Sequence, residues 1–187
     1  MGFTRAELES YRDQSIPDLV GPRLRLLFVG INPGLWTAAV QTPFAHPGNR
    51  FYPALLRAGI IDREIDPAAG FTTADRQYLI DRGIGNTNLV NRATARADEL
   101  TGDELRAGAV RVRGFVAKHR PRVVAMAGIT AYRVAFGART AKLGRQAESL
   151  EGSELWIVPN PSGLNAHETI DSLAAKYAEA ARAAGLL

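Results

Sequence analysis

An asparagine follows the first apolar stretch of the chain, at a position where its side chain could bind a ligand. Residues 24–29 are mostly apolar and end at Gly30, which predicts a buried strand leading into a tight loop. Pro33 restricts φ and Gly34 can adopt φ > 0, so Asn32 should be fixed at the carboxyl end of that strand. Open α/β sheets bind their ligands at this edge. The alternative is that the amide of Asn32 only hydrogen-bonds its own loop.

Two later segments also concentrate functional groups. Residues 43–51 carry aromatic, amide, imidazole and guanidinium side chains, and residues 160–164 form a polar turn rich in proline and glycine. His46 could act as a general acid by its residue type. A histidine in a loop more often bonds backbone groups, and we favour this structural interpretation. Because His119 and His167 show no ligand spacing with His46, we expect no metal site.

Composition and length exclude several classes of protein. A chain of 187 residues predicts one domain, 1–187, that can bury a sizeable core. The absence of cysteine excludes disulfides, cysteine nucleophiles and cysteine-ligated zinc or iron–sulfur clusters. We expect a cytoplasmic protein, since no apolar run approaches membrane-spanning length and no signal peptide is recognisable. The net charge of +4 and the pI of about 9.8 fit a nucleic-acid partner without requiring one.

Apolar strands alternate with helices along the chain. Capping boxes at Thr4 and Thr101 predict helix starts, and Gly59 and Gly83 predict helix ends. We predict strands at 24–29, 84–90, 123–128 and 155–158, helices at 4–12, 50–58, 73–82, 102–119, 130–136 and 167–184, and loops at 60–72 and 137–150. Because the predicted strands are mostly apolar throughout, the fold class should be a three-layer α/β/α sandwich with a mainly parallel central sheet. Residues 1–22 form a candidate N-terminal helical extension.

The chain resembles a known family in four motifs that keep their order and wide spacing. The motifs are Gly30-Ile31-Asn32-Pro33-Gly34-Leu35, Pro43-Phe44-Ala45-His46-Pro47, Asn49-Arg50-Phe51 and Asn160-Pro161-Ser162-Gly163-Leu164. They are similar to those of the mismatch-specific uracil-DNA glycosylases, the relatives of thymine-DNA glycosylase, and the resemblance runs from about Arg23 to the C-terminus. It implies a uracil-DNA glycosylase-like fold and a monofunctional DNA glycosylase of base excision repair. Such an enzyme flips uracil, or a related pyrimidine such as thymine, out of a mismatch with guanine in double-stranded DNA and hydrolyses its N-glycosidic bond. We expect it to be a monomer that needs no cofactor.

The resemblance implies roles for five residues around the flipped base. Asn32 would hold the water that attacks the deoxyribose C1′, although an amide cannot take the proton of that water at pH 7. Phe44 would stack on the extruded base, which gives affinity rather than base identity. Backbone groups of Ile31 and Phe44 would read the base edge together with Asn88, at a position where the family has lysine or asparagine. Thr37 would line the pocket wall and limit the room for a 5-substituent.

The segment after the last predicted strand would enter the DNA. The resemblance implies that Leu164 fills the space left by the flipped base. Three neighbours would contact the opposite strand: Ser162, Gly163 and Asn165. Some family members carry an arginine where this chain has Ala166, so we expect weaker penetration of the stack or weaker opposite-base discrimination. Asn160, which stands where related uracil glycosylases have a histidine, can donate a hydrogen bond to the base but carries no charge. This predicts modest rates.

Five basic residues in predicted loops are candidate phosphate contacts: Arg92, Arg96, Arg139, Lys142 and Arg145. Such contacts would supply salt-dependent binding, although a run of charges is usually only a solvated surface. Asn91 precedes the first of them, where the family has an acidic residue before the arginine. The missing carboxylate puts any role of that acid in doubt for this chain.

Two other functions are open from the sequence. The chain could be a nucleotide-binding α/β hydrolase that uses the loop at Gly30 for phosphate, but it lacks a full glycine fingerprint and a phosphate-loop lysine. It could also be a catalytically weak or inactive DNA-binding module of the same fold, since Asn91 and Ala166 depart from the family. Cleavage of a uracil-containing duplex distinguishes all three functions.

Overall fold

Seven α-helices, one 3₁₀-helix (Ala97–Glu99) and five strands lie along residues 2–187, the part of the chain that the computed structural model describes. The helices are α1 (Arg5–Glu9), α2 (Leu35–Val40), α3 (Phe51–Arg57), α4 (Thr73–Asp81), α5 (Gly102–His119), α6 (Ile129–Ala135) and α7 (Ile170–Ala183). The strands are β1 (Leu26–Gly30), β2 (Ile84–Asn88), β3 (Val123–Ala127), β4 (Gly144–Arg145) and β5 (Glu154–Val158). Met1, which the domain prediction includes, lies outside the described residues. Within residues 2–187, no helix combines the length and apolar composition needed to cross a membrane.

One five-stranded sheet with the order β2-β1-β3-β5-β4 forms the centre of the fold. β1 pairs in parallel with β2 and β3, and β3 pairs in parallel with β5. The short β4 runs antiparallel to β5. Every residue of β1, β2 and β3 is buried, as expected for parallel strands with helices on both faces. The predicted mainly parallel sheet is therefore confirmed.

Side chains of β1 alternate between the two faces of the sheet and contribute to two separate cores. Leu26 and Phe28 point to the face covered by α3, α4 and α7, and the ring of Phe28 meets that of Phe51 edge-on at 4.9 Å between centroids. Leu27 and Val29 point to the opposite face, where they pack with α5 and α6. These three layers confirm the predicted α/β/α sandwich.

Some short elements and helix ends differ from the predictions. α2 and β4 lie in segments predicted as loops, because six and two residues are too few to show a hydrophobic period. The predicted start of the last helix at His167 is wrong. The hydroxyl of Thr169 accepts a hydrogen bond of 3.1 Å from the amide of Ser172 and caps α7, so the helix starts only after this residue. The first helix ends at Glu9 rather than near Arg12.

The N-terminal segment packs against the sheet and α2. Leu19 pairs with Asn86 of β2 through two backbone hydrogen bonds of 2.9 and 2.8 Å, so the segment covers the outer edge of that strand. Ile16 packs with Leu35 and Ala38 of α2 in a third, small hydrophobic cluster. Within the candidate helical extension 1–22, only α1 is helical among the described residues.

Two glycines of α5 predict opposite effects of the same substitution. A Cβ on Gly108 would lie 2.4 Å from the carbonyl oxygen of Leu89, whereas a Cβ on Gly114 would meet no atom within 4 Å. Alanine favours a helix interior over glycine by about 1 kcal/mol. We therefore expect Gly114→Ala to raise the free energy of unfolding by up to about 1 kcal/mol, and Gly108→Ala to lower it because α5 must move away from the backbone of Leu89. Denaturant unfolding measures both, and a Gly108→Ala variant as stable as the parent protein would contradict the close approach.

Candidate active site at the carboxyl edge of the sheet

The parallel strands end at one edge of the sheet, and β1 is its topological switch point. From β1 the chain moves to β2 on one side and then to β3 on the other side. Ligands of open α/β sheets bind in the crevice outside such a switch point. Gly30 and Asn88 are paired in register at this edge, and Asn32 follows two residues after the end of β1. The predicted position of Asn32 beyond a core strand is confirmed.

The side-chain amide of Asn32 is held by three acceptors. Its Nδ2 donates hydrogen bonds to the carbonyl oxygen of Arg92 (2.9 Å), to Oγ1 of Thr94 (2.8 Å) and to the carbonyl oxygen of Pro33 (3.2 Å). The Thr94 hydroxyl donates its own hydrogen to the carbonyl of Arg96 at 2.7 Å, so its oxygen must act as the acceptor toward Asn32. Because carbonyl oxygens only accept, these contacts determine which atom of the amide is nitrogen.

The same contacts leave the oxygen of Asn32 available. Oδ1 accepts no hydrogen bond from residues 2–187. It is also not a buried atom, because Nε of Arg50 is the one side-chain polar atom of this range that is both buried and without a partner. Oδ1 of Asn32 is therefore open to solvent. The alternative that Asn32 only hydrogen-bonds its own loop describes the nitrogen but not the oxygen. A water that donates to Oδ1 would be held in a fixed direction.

Asn91 ties the loop that holds Asn32 to the N-terminal segment. Its Oδ1 accepts from the backbone N–H of Ile16 at 3.0 Å, and its Nδ2 donates to the carbonyl oxygen of Ile16 at 2.8 Å. Backbone hydrogen bonds of 2.9 Å from Asp13 to Ala93 and from Ala93 to Gln14 continue this pairing. A carboxylate could accept but not donate at neutral pH. Asn91 thus complements both backbone groups of Ile16, whereas a carboxylate would complement only one of them.

Arg92 is engaged by two carboxylates. Its guanidinium forms ion pairs with Asp13 at 2.8 Å and with Glu104 at 2.7 Å. The hydrogen bonds to Glu104 and Asp13 raise the pKa of Arg92, and those donated by Arg92 lower the pKa of Glu104 to about 2. The side chain thereby joins the N-terminal segment to the start of α5, while its own carbonyl holds Asn32. Arg92 supports the loop by these contacts, in addition to any contact with phosphate.

Phe44 adopts a strained backbone conformation above the end of β1. Its φ of 56° lies in the left-handed region, which costs a bulky residue about 1–3 kcal/mol. Its ring stacks on Phe51 with 4.1 Å between centroids and 26° between planes. A Cβ on Gly30 would lie 2.4 Å from Oδ1 of Asn88 and 3.5 Å from Cζ of Phe44. The missing side chain of Gly30 therefore leaves room for the amide of Asn88 at the strand end, while the distance to Phe44 is an ordinary contact.

Two hydrogen bonds hold the backbone on either side of Phe44. The amide of Ala45 donates to Oγ1 of Thr37 at 3.2 Å, and the hydroxyl of Tyr52 donates to the carbonyl of Pro43 at 2.9 Å. Thr37 and Tyr52 are buried, so these contacts are shielded from water. Thr37 was predicted to limit the room for a 5-substituent, and the structure gives its hydroxyl a supporting contact with the Phe44 loop.

Several hydrogen-bonding groups around the strand ends have no protein partner. The backbone N–H groups of Ile31 and Phe44 find no acceptor among residues 2–187. The side chain of Asn88 is buried, and its unpaired amide atoms keep contact with solvent. Oδ1 of Asn160 accepts from the amide of Ser162 at 3.0 Å, which leaves its Nδ2 free to donate. All of these groups are uncharged, so the site can bind a polar, neutral ring through directed hydrogen bonds.

The turn after β5 exposes an apolar side chain. Leu164 is 87% exposed, more than any other large hydrophobic residue in the described range. Its backbone amide donates to Oγ of Ser162 at 3.2 Å, and Nδ2 of Asn165 donates to the carbonyl of Asn160 at 3.0 Å. A Cβ on Gly163 would lie 2.6 Å from the carbonyl oxygen of Gly48. The predicted wedge residue therefore projects from a turn that hydrogen bonds and close packing within the protein hold in place.

The other candidate phosphate contacts fall into two groups. Arg96 pairs with Asp98 at 2.6 Å and Arg145 pairs with Glu154 at 3.0 Å, and both arginine side chains are exposed. Arg139 and Lys142 are exposed and form no ion pair within residues 2–187. The latter two side chains thus have their charge available for a phosphate.

His46 contacts the backbone of its own loop. Its Nδ1 accepts from the amide of Gly48 at 3.0 Å, and its ring meets that of Trp36 edge-on at 5.9 Å. These contacts agree with the structural interpretation of this histidine. In the part of the chain that the structure describes, no three His, Asp or Glu side chains are grouped to hold a metal ion.

Sequence reasoning missed the contribution of Thr94 and Gly30 to the site. Thr94 is 62 residues away from Asn32 in the chain, and no local pattern connects the two. Gly30 belongs to a motif that indicated a tight loop, but its effect on Asn88 requires the parallel register of β1 and β2. Both contributions depend on pairings between distant segments.

Comparison with known proteins identifies the family. Residues 17–182 match the uracil DNA glycosylase superfamily, and the chain belongs to this superfamily. The fold is similar to that of a protein from Methanosarcina acetivorans whose solution NMR structure is described as that of "a putative Uracil DNA glycosylase". The match has a TM-score of 0.61 and 16% sequence identity, and covers 93% of this chain and 98% of the other. At this identity the likeness supports the fold.

The two hydrogen bonds of Asn91 predict a pH-dependent defect for Asn91→Asp. A carboxylate at this position would face the carbonyl oxygen of Ile16 without a hydrogen to donate, which should cost about 1–3 kcal/mol at neutral pH. Protonation restores the donor, so the penalty should shrink as the pH falls to about 4. Thermal unfolding of variant and parent at each pH measures the difference between them. A penalty that is absent at neutral pH, or constant with pH, would contradict this role of the amide.

Proposed function

We propose that the protein is a monofunctional DNA glycosylase that hydrolyses the N-glycosidic bond of uracil, or of a related pyrimidine such as thymine, mispaired with guanine in double-stranded DNA. The product would be an abasic site for base excision repair. Membership of the superfamily supports uracil-DNA glycosylase activity in general. The observation that carries the finer proposal is the amide of Asn32, whose nitrogen is bonded three times while its oxygen is open to solvent.

The proposed reaction begins with a water that donates a hydrogen bond to Oδ1 of Asn32. The bond from C1′ to the base nitrogen breaks first and the base leaves with the electron pair, and the water oxygen then forms a bond to the cationic C1′. Since an amide is not a base at neutral pH, the water loses its proton to the surroundings only as the sugar cation is captured. Asn32 therefore contributes position and electrostatic stabilisation rather than proton transfer.

The leaving base would be held by neutral groups. The ring of Phe44 offers a stacking surface, which contributes about 1–3 kcal/mol per base. The free N–H groups of Ile31 and Phe44 can donate to the base carbonyls, and the amide of Asn88 can both accept from and donate to the base edge. The free Nδ2 of Asn160 adds another donor. Negative charge that develops on the pyrimidine is then spread over several hydrogen bonds.

The inactive-module alternative rested on Asn91 and Ala166. The structure gives Asn91 two backbone hydrogen bonds at its own position, so its departure from the family pattern has a structural reason. Ala166 is exposed in the turn after β5 and lies outside the set of contacts that hold Asn32. Neither residue removes an atom that the proposed hydrolysis requires.

The proposal predicts that the purified protein excises uracil from a G·U duplex and that Asn32→Ala abolishes excision. Duplex affinity should stay within about tenfold, because Asn32 acts on the water in the transition state rather than on the DNA in the ground state. Single-turnover cleavage at excess enzyme and equilibrium binding measure the two quantities. No product from the parent protein would refute the glycosylase, and parallel loss of binding and cleavage in the variant would make Asn32 a structural residue.

The salt dependence of DNA affinity can distinguish basic side chains that are free to contact phosphate from those paired with a carboxylate. If Lys142 contacts a phosphate, Lys142→Gln should reduce the slope of log affinity against log salt concentration by about one unit. The matched variant Arg96→Gln should leave this slope nearly unchanged, because its guanidinium is paired with Asp98. Fluorescence anisotropy with a G·U duplex over a range of salt concentrations gives both slopes. Equal slopes for Lys142→Gln and the parent protein would remove this lysine from the DNA interface.

A further inference from the structure

The turn that carries Leu164 is held by one arginine. We call residues 160–168 the wedge loop; they contain no helix or strand. The backbone amide of Arg50 donates to the carbonyl of Pro161 at 3.0 Å. Its Nη2 donates to the carbonyls of Ser162 at 2.6 Å and Asn165 at 2.7 Å, and its Nη1 donates to the carbonyl of Glu168. A single residue thus bonds four carbonyl groups along the loop.

The guanidinium of Arg50 donates its hydrogen bonds to neutral carbonyl groups. It forms no ion pair within residues 2–187, and its Nε is the buried side-chain polar atom of this range that has no partner. Arg50 is half-buried and its Nε is shielded from water, so the charge-assisted bonds to three carbonyls offset the hydration that the guanidinium loses. The planar fork of an arginine requires its acceptors at defined directions. The carbonyl groups of the loop must therefore keep their observed arrangement to accept all the hydrogen bonds of the guanidinium.

Contacts at both sides of the wedge loop restrict it further. Gly163 approaches the carbonyl of Gly48 so closely that a Cβ would lie 2.6 Å from this oxygen. At the far end, the buried carboxylate of Glu168 accepts hydrogen bonds from Ser172 at 2.5 Å and Lys176 at 2.6 Å, which fasten the loop to α7. Between these points Leu164 is left projecting into solvent.

We infer that Arg50 is a positioning residue that holds the wedge loop in its DNA-inserting shape before DNA is bound. This inference rests on the proposed function, since it assigns Leu164 to the base stack. A loop that is ordered in advance does not lose its conformational entropy at the moment when the base is extruded. Arg50 therefore acts on extrusion through the loop and does not touch the reacting atoms. Lysine keeps the charge but cannot bond three separated carbonyls with one rigid group.

The first test measures the loop in the free protein. Arg50→Lys should increase amide hydrogen exchange by about tenfold or more at the four loop residues whose N–H groups are hydrogen-bonded, because these bonds open when the loop loses its folded arrangement. The four residues are Ser162, Leu164, Asn165 and His167. Arg57→Lys is the matched control, since Arg57 lies on the adjoining α3 and pairs with Asp171 at an exposed position. It should leave the exchange of the loop unchanged. If Arg50→Lys fails to fold, Gly163→Ala disturbs the same loop from its contact with Gly48 and should give the same local increase.

The second test measures extrusion of the base. A 2-aminopurine beside uracil in a G·U duplex should brighten on binding of the parent protein, and less on binding of Arg50→Lys at saturating concentration. Single-turnover excision should slow by up to about 100-fold, the size of effect that a mutation far from the chemistry can have by misplacing the substrate. Arg57→Lys should match the parent protein in both measurements.

The outcomes distinguish the positioning role of Arg50 from the proposed glycosylase activity. Unchanged exchange in Arg50→Lys overturns the inference, as does faster exchange with undiminished 2-aminopurine brightening. A parent protein that brightens the reporter but excises no uracil overturns the proposed function, while the effect of Arg50→Lys on exchange and brightening still decides the inference. A parent protein that neither brightens the reporter nor excises uracil overturns both.

Discussion

The fixed amide of Asn32 is the constraint on which the rest of the site depends. An asparagine on a loop can turn its amide by half a rotation and exchange its oxygen and nitrogen. Here that rotation would place Oδ1 against three acceptor oxygens, from Pro33, Arg92 and Thr94. Each lost hydrogen bond costs about 1 kcal/mol, and the facing oxygens repel one another besides. The oxygen is therefore available for a water at all times, and no ligand has to organise it.

Two arginines near the site use their guanidinium groups to bond other parts of the protein. Arg92 joins Asp13 to Glu104 and so supports the loop whose carbonyl binds Asn32. Arg50 binds the carbonyls of the wedge loop. The unpaired groups that remain at the strand ends are neutral amides and backbone N–H groups. In the proposed reaction, stabilisation of the departing anion would have to come from several modest hydrogen bonds, and we would expect such a glycosylase to be slow.

The sequence predicted the parts of this structure that local patterns encode. The apolar runs that contain Leu26 and Val124 predicted parallel strands, and the capping box at Thr101 predicted the start of α5; all three agree with the structure. A motif also placed Asn32 at a strand end. The partners of Asn32 could not be predicted, because the pairing of Thr94 with a residue 62 positions earlier depends on how distant loops meet. The same holds for Asn91, whose partner Ile16 lies 75 positions away.

In the proposed reaction, a mismatched base would be distinguished from a paired one at an early step, when the base is extruded. Uracil and thymine differ by one methyl group, and hydrogen bonds to their shared edge cannot distinguish them. A mismatched pyrimidine costs less to extrude than one in a Watson–Crick pair, so a site that relies on extrusion acts first on mismatches. A preformed wedge would preserve this difference, because under the proposal the protein would insert the same fixed loop at every base pair. Arg50 and Leu164 would then set where the enzyme acts, and Asn32 would set how fast the captured base is released.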